Sequence, residues 1–161
     1  NDTTNILLGN LMSALTRFPD QRRLLFDDAS LAPAAIEETM RFDSSIHALV
    51  RTLPAAATDL GEELDSSKKL LVLLGSANRD ERVFENPDVF DLGRNTDGQL
   101  GFGQGIHFCI GSSLARLETR VVVEELVDRV SDLEVDVDHC ERVRISSFRG
   151  FKRMPFIAKT R

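Results

Sequence analysis

A long segment without helical or strand periodicity occupies the middle of the second half of the chain. Between Arg82 and Gly105 the sequence carries turn residues instead, including Asn86-Pro87-Asp88, Asp97-Gly98 and three closely spaced glycines at its end. Loops of this length are uncommon in compact domains, and those that occur are usually functional. Because such a segment forms few hydrogen bonds of its own, neighbouring elements must hold it in place.

Hydrophobic periodicity predicts mainly helices around this segment. The clearest helix follows it, where Ile110, Leu114, Leu117 and Val121 recur at helical spacing. The strand predicted over 69–74 is expected to be buried, because its apolar residues do not alternate with polar ones. The fold class is therefore mainly α with small β-sheets. The other predicted helices span 3–17, 20–26, 33–41 and 76–81, and the other predicted strands span 46–52, 133–138, 143–148 and 154–158, with a turn at Arg149-Gly150.

Composition excludes several functional classes. The 161 residues are 42% hydrophobic, which allows a core, and 20 basic against 26 acidic residues give a net charge of −6. This balance offers no electrostatic footprint for nucleic acid. No run approaches the ~18 apolar residues of a membrane span, and the opening NDTTNILLGN has no basic signal-peptide region. Two cysteines do not make a disulfide framework, so a reducing, cytoplasmic setting is expected.

One of those cysteines, Cys109, ends a glycine-rich stretch directly before the clearest helix. A helix N-terminus and the amides of a glycine-rich loop both lower the pKa of a thiol, which predicts a thiolate suited to metal ligation. A single thiolate argues against a zinc or iron–sulfur site and is compatible with axial ligation of haem. The alternative to a metal ligand is that Cys109 is simply a small residue buried in the core. A zinc site formed by Cys109 with His107, His139 and Cys140 is disfavoured, because these residues are spaced too tightly in sequence for the usual zinc geometry. A glycine-rich phosphate-binding loop is also disfavoured, because the spacing of the glycines does not match the GxGxxG motif.

The cysteine stretch resembles the signature of the cytochrome P-450 family, the haem-thiolate monooxygenases. The matching residues are Phe102, Gly105, His107, Cys109 and Gly111, at the family's spacing. The resemblance implies that Cys109 is the axial ligand of haem b iron and that Phe102 packs beside the haem and the sulfur. It further implies that His107 contacts a haem propionate. Gly103 and Gly105 are expected to let the loop backbone approach the sulfur closely, and both belong to the expected cofactor-binding residues.

Three charged residues match the family's supporting network. Glu38 and Arg41 form its ExxR motif on the helix predicted over 33–41, and Arg94 follows the family's Pro-x-x-Phe pattern. On sequence alone Glu38 and Arg41 are an ordinary exposed pair. The resemblance instead implies a three-member network that pins the irregular segment. Arg51, which could be a solvated strand end, is expected to meet a haem propionate.

Two further regions bear on this resemblance. Asp2 and Thr3 could be a simple helix start, but they match the family's acid–alcohol pair, whose hydroxyl and water chain deliver protons to dioxygen. The family's hairpin after Arg51 is altered, because Ser67 replaces its later turn glycine although Gly61 is present. The hairpin is therefore expected to be distorted or to lack a strand.

The resemblance implies a monooxygenase that inserts one atom of O2 into a small apolar substrate. Electrons would come from NAD(P)H through a ferredoxin or flavoprotein reductase, with Arg116 and Arg120 as candidate docking residues. Residues 1–161 are expected to be a partial single domain, the C-terminal haem-binding part: the end of the distal helix, the ExxR helix, the meander, the cysteine loop, the proximal helix and the last hairpin. Such a piece is expected to be inactive alone. The alternatives are a haem-free remnant or interaction module and a peroxide-using haem enzyme, against which Asp2-Thr3 argues.

Overall fold

The computed structural model describes residues 2–53, 55–56 and 64–161 of the chain. The prediction of a mainly α fold with small β-sheets is confirmed. Within these residues no helix is both long enough and apolar enough to cross a membrane. The helices are α1 (Asp2–Arg17), α2 (Pro19–Asp27), α3 (Ala32–Phe42), α4 (Leu74–Ala77) and α5 (Ser112–Arg129), and the strands are β1 (Leu49–Thr52), β2 (Lys69–Val72), β3 (Val130–Val135), β4 (Glu141–Arg142), β5 (Phe151–Arg153) and β6 (Phe156–Thr160).

The main hydrophobic core lies where α1 packs against α3, α5 and β3. Its α1 side comes from Leu11 and Leu15, which are almost fully buried. Phe42 at the end of α3 packs edge-on against Phe90, with ring centres 5.5 Å apart. Because Phe90 belongs to the irregular segment, that segment contributes to the core although it forms no regular element. A smaller cluster of Leu7, Ile36, Met40 and Phe102 adjoins it.

Three two-stranded antiparallel sheets complete the fold, pairing β1 with β2, β3 with β6 and β4 with β5. The β1–β2 hairpin keeps a regular register from Leu49↔Val72 to Thr52↔Lys69. Ser67 takes a left-handed backbone conformation, with φ of 70°, and its amide donates to the Leu53 carbonyl at 2.9 Å. Both strands are present, so the expectation of a lost strand is wrong. Gly61 lies outside the described residues.

Four sequence predictions about strands and helices need correction. The strand expected over 46–52 begins only at Leu49, and the helix expected over 76–81 lies at Leu74–Ala77. The strand over 69–74 is not buried, since Leu71 is 62% exposed; its sheet has two strands and no further layer covers it among the described residues. The segment 143–148 is not a strand. The Val143 amide bonds to the Gly150 carbonyl, and only the end of the segment pairs with another part of the chain, where Ser147 accepts from the His47 amide and Phe148 forms an isolated bridge with Ile46.

The apolar stripe of helix α5 lies outside the packed core. Leu114, Leu117 and Val121 are each at least half exposed, whereas Thr119 and Val123 on the opposite side are buried. The periodicity that predicts the helix therefore does not mark the face that packs on α1 and α3. The side that packs is lined instead by smaller residues.

A buried aspartate joins the C-terminal segment to the helices. The Asp43 carboxylate, directly after α3, accepts a hydrogen bond from Arg149 Nε at 2.5 Å. Asn10 of α1 donates to the backbone carbonyls of Asp43 and Arg149, at 2.7 Å each. Together these bonds fix the start of the last hairpin against α1 and α3.

Ser67 offers a test of the hairpin's turn. A left-handed conformation costs a non-glycine residue about 1–2 kcal/mol, and the entropy of glycine offsets roughly 0.5–1 kcal/mol of that. We expect Ser67→Gly to raise the free energy of unfolding by on the order of 1 kcal/mol or less, as measured by urea denaturation. Ser66→Gly, next to it and without positive φ, should lower stability. Equal effects of the two variants would contradict the strain at Ser67.

Candidate functional site

The irregular segment is held against α3 by a buried ion pair. Arg41 donates from Nε and Nη2 to the two oxygens of the Glu38 carboxylate, at 2.7 and 2.8 Å. The Arg41 side chain is 0% exposed and that of Glu38 is 1% exposed. Two parallel charge-assisted bonds of this kind fix orientation as well as charge. Glu38 and Arg41 thus act as one rigid unit on the helix surface.

The rest of the Arg41 guanidinium reaches the irregular segment. Its Nη1 donates to the carbonyls of Asn78 and Pro87, at 3.0 and 2.9 Å, and Nη2 donates to the carbonyl of Val89 at 3.2 Å. Glu38 Oε1 accepts from the Asp91 amide at 3.0 Å. Buried backbone groups need partners, and this ion pair supplies them where no strand or helix does.

Arg94 joins the same carboxylate from the segment side. Its Nε lies 3.2 Å from Glu38 Oε1, while its other nitrogens donate to the carbonyls of Glu85 and Asn86 at 2.5 and 3.1 Å. The structure therefore brings together Glu38, Arg41 and Arg94. Their contacts hold the chain from residue 78 to residue 94 around the Glu38 carboxylate.

Asn78 is a supporting residue that the sequence reasoning missed. It is fully buried, and its Oδ1 accepts from the Leu100 amide at 2.7 Å. Its Nδ2 donates to the Met40 carbonyl and the Ser44 hydroxyl, at 3.2 and 3.0 Å. A single asparagine in the short helix predicted over 76–81 carries no pattern, so its role is visible only once the contacts are known.

The cysteine loop closes on itself before α5 begins. The Cys109 amide donates to the Phe102 carbonyl at 2.8 Å, and the Phe108 amide donates to the Gly105 carbonyl at 3.0 Å. Gly103 has a φ of +73°, and a Cβ there would lie 3.2 Å from the His107 carbonyl oxygen. The loop thus requires glycine at this position. Cys109 itself is exposed and lies three residues before the first residue of α5.

Phe102 connects the loop to the helices around it. Its buried ring packs against Leu7, Ile36 and Met40, and Arg116 Cζ lies 4.3 Å from the ring centre. Arg116 also forms an ion pair with Glu37 of α3. The hydrogen bond to Glu37 raises the pKa of the Arg116 guanidinium, partial burial lowers it, and the negative charge of Glu37 adds to the rise.

A cavity of about 520 Å³ opens beside the loop. It collects most of the residues predicted from sequence, but Asp2 is exposed and, like Gly105, is not among its lining residues. Sequence reasoning missed the apolar wall, since single leucines and valines carry no motif. The predicted residues that line the cavity are Thr3, Arg51, Phe102, Gly103, His107 and Cys109, and the apolar wall includes Leu7, Leu49, Val72, Leu74 and Leu114.

The two arginines expected to dock a redox partner both pair within the chain. Arg116 Nε lies 2.5 Å from Glu37 Oε1, and its side chain is 37% exposed. Arg120 Nε lies 2.6 Å from Glu124 Oε1, and its side chain is 55% exposed. Arg116 is thus engaged inside the fold more than on its surface.

Comparison with known proteins assigns the family. The sequence model described as cytochrome P450 matches residues 24–146. The chain belongs to the cytochrome P450 family. Its match includes Glu38, Arg41, Arg94 and the whole cysteine loop, so the family assignment and the geometry concern the same residues.

Individual cytochromes P450 are similar over nearly the whole chain. The monooxygenase PikC of Streptomyces venezuelae is 39% identical over 96% of this chain and 38% of its own length. The structure of CYP109Q5 from Chondromyces apiculatus superposes with a TM-score of 0.94 at 38% identity, covering 100% of this chain and 42% of that one. CYP109E1 from Bacillus megaterium, in complex with corticosterone, gives 0.92 at 32% identity, covering 99% and 43%. The chain spans about 40% of the length of the curated relatives it matches.

Members of this family bind haem, and the cavity residues fit that group. A porphyrin presents apolar faces and two carboxylates at one edge, with a metal at its centre. The cavity offers an apolar wall, the cationic Arg51, the imidazole of His107 and one exposed thiol at Cys109. Its volume lies within the roughly 300–1,000 Å³ typical of small-molecule pockets. Guanidinium groups bind carboxylates well, and thiolates bind iron.

Removing the charge of Glu38 should destabilise the protein strongly. Glu38→Gln leaves the Arg41 guanidinium buried without its counter-ion, and breaking such a pair costs about 3–5 kcal/mol. The free energy of unfolding in urea should fall by that amount. As a matched control, Glu125→Gln breaks the exposed Arg129–Glu125 pair on α5, where N and O lie 2.6 Å apart, and should cost less than about 1 kcal/mol. Similar losses for both variants would show that the buried pair does not hold the segment.

Proposed function

We propose that this chain is the C-terminal, haem-binding part of a haem-thiolate monooxygenase. The observation that carries the proposal is the convergence of Cys109, Arg51, His107 and Thr3 on one apolar cavity of about 520 Å³. The 161 residues would form part of a single domain rather than a complete one, and would be inactive alone. The ExxR helix α3, the meander around Arg94, the cysteine loop, α5 and the last hairpin are its parts.

Each residue assigned to the site has a defined task in this proposal. Cys109 would hold the iron of haem b as its thiolate ligand, and Arg51 and His107 would bind the propionates. Phe102 packs beside the sulfur, and Gly103 and Gly105 shape the loop so that its backbone lies close to the cofactor. Bound haem supplies the oxygen chemistry, and thiolate ligation favours O–O cleavage. Glu38, Arg41 and Arg94 keep the loop in place.

The proposed reaction inserts one atom of O2 into a small apolar substrate. The apolar wall of the cavity suits such a substrate, and the corticosterone bound by CYP109E1 is largely apolar. Electrons would come from NAD(P)H through a ferredoxin or flavoprotein reductase, in the cytoplasm. Arg120, with 55% of its side chain exposed, is available for docking that partner. Neither nucleic acid nor a membrane span forms part of the proposal.

Asp2 and Thr3, in the first turn of α1, would transfer protons to the cavity. Thr3 lines the cavity, and its carbonyl accepts a hydrogen bond from the Ser45 hydroxyl at 2.9 Å, which fixes the first turn of α1. Its hydroxyl can receive a proton from solvent on one side and pass it into the cavity on the other. The exposed Asp2 carboxylate would supply protons from solvent.

Haem ligation is tested on the complete gene product. Reduced protein under carbon monoxide should show the Soret band of thiolate-ligated haem, and Cys109→Ala should abolish it because the iron loses its ligand. Cys140→Ala provides the control: this half-buried thiol donates to the Asp136 carbonyl, with its Sγ 3.3 Å from that oxygen, outside the cavity. Absence of haem uptake by the wild type would favour a haem-free remnant or interaction module instead.

The role of Thr3 predicts a change in coupling rather than in binding. Thr3→Val keeps the shape of the side chain and removes its hydroxyl, so proton delivery slows while haem is retained. Product formed per NAD(P)H consumed should fall several-fold, with hydrogen peroxide released in its place. Thr4→Val, at the neighbouring lining position, is the control. Unchanged coupling in Thr3→Val, together with full turnover supported by peroxide, would favour a peroxide-using enzyme.

A further inference from the structure

We propose that Glu37 is a positioning residue that holds both ends of the cysteine loop and thereby tunes the Cys109 thiolate. The sequence motif draws attention to Glu38, but the two neighbouring glutamates face different parts of the chain. Glu38 bonds Arg41, Arg94 and the Asp91 amide, all before the loop. Glu37 contacts the loop's two flanks. This inference rests on the proposed function, in which Cys109 ligates haem iron.

The flank after Cys109 is held through Arg116. Arg116 donates from Nε and Nη2 to the two oxygens of Glu37, at 2.5 and 3.1 Å, which binds the second turn of α5 to α3. The same guanidinium lies 4.3 Å from the centre of the Phe102 ring. Planar stacking and bidentate bonding are both specific to arginine. The Arg116 side chain thus connects α3 and α5 to Phe102, whose carbonyl accepts a hydrogen bond from the Cys109 amide.

The flank before Cys109 is held through Gln99. Its Nε2 donates to Glu37 Oε2 at 3.1 Å, and its Oε1 accepts from the Gly101 amide at 2.6 Å. Gly101 lies so close to α3 that a Cβ there would be 2.7 Å from the Met40 carbonyl oxygen. Gln99 therefore transmits the position of Glu37 to the backbone at the point where the loop begins.

The two flanks meet at the cysteine. Because the Cys109 amide donates to the Phe102 carbonyl at 2.8 Å, a shift of Phe102 moves the backbone that carries the sulfur. Glu37 also neutralises Arg116, whose charge interacts with that of Cys109. Without Glu37, an unpaired cation would remain near the thiolate and withdraw its electron density from iron. A nearby positive charge favours the more negative, reduced state of the iron centre and so raises its reduction potential.

The test compares three variants of the complete gene product with the wild type. Glu37→Gln should shift the reduction potential of the haem-loaded protein to more positive values. In the haem-free protein it should speed hydrogen exchange at the Cys109 amide about tenfold, which corresponds to about 1.4 kcal/mol of lost protection. Arg116→Gln should speed exchange similarly without the positive shift, since no unpaired cation remains. Glu125→Gln, in the exposed pair on α5, should change neither.

Double substitution and rescue separate positioning from a general loss of structure. Glu37→Gln combined with Arg116→Gln should speed exchange by less than the product of the two single effects, because both changes break the shared Glu37–Arg116 contact. Glu37→Asp keeps the charge next to Arg116 and should return the potential most of the way to the wild-type value. A purely structural role would leave the potential of Glu37→Gln unchanged.

The outcomes distinguish this inference from the proposed function. A wild type without a thiolate-ligated haem spectrum counts against the proposed function itself. A wild type with that spectrum, together with a Glu37→Gln variant that matches Glu125→Gln in potential and exchange, overturns the role of Glu37. If Glu37→Gln does not fold, Arg116→Gln decides: unchanged exchange at the Cys109 amide overturns the inference, and a tenfold increase supports it.

Discussion

The buried pair of Glu38 and Arg41 is the contact on which the rest of the site depends. Two opposite charges, almost fully removed from water, would be costly unless every polar atom found a partner. The chain meets that requirement with the backbone of the irregular segment, whose carbonyls and amides have no strand or helix to join. The pair needs the segment for hydrogen bonds and the segment needs the pair for shape. Removing either one would leave polar groups of the other without hydrogen-bond partners.

Core packing and a second carboxylate, that of Glu37, connect this ion pair to the cysteine loop. Phe90 of the segment enters the main core against Phe42, while Asn78, at the end of α4, accepts a hydrogen bond from the Leu100 amide just before the loop. Glu37, one residue from Glu38, then reaches across to Arg116 and Gln99. Consecutive helix residues point in directions about 100° apart, so adjacent glutamates can serve different neighbours. Helix α3 in this way orients both the loop and the segment that precedes it.

Sequence reasoning found the parts whose patterns are local. The spacing of apolar residues placed α1, α3 and α5, and the residues around Cys109 carried enough fixed positions to indicate the family. The sequence predictions were wrong where contacts between residues distant in sequence determine the local structure or the buried face. The segment 143–148 has strand-like composition, yet only its end pairs with another part of the chain, at residues 46 and 47, and the apolar stripe of α5 lies outside the packed core while Thr119 is buried. Asn78, Glu37 and Gln99 had no signal, because a single polar residue becomes a support only through partners distant in sequence.

In the proposed function Cys109, held in place by α3, is the thiolate ligand of haem iron in the complete protein. Iron K-edge X-ray absorption of the purified, haem-loaded gene product measures that ligation directly. We expect one sulfur scatterer at bonding distance beside the porphyrin nitrogens, absent in Cys109→Ala and retained in Cys140→Ala. A wild-type iron bound only by nitrogen and oxygen, or a sulfur scatterer that survives Cys109→Ala, would contradict it.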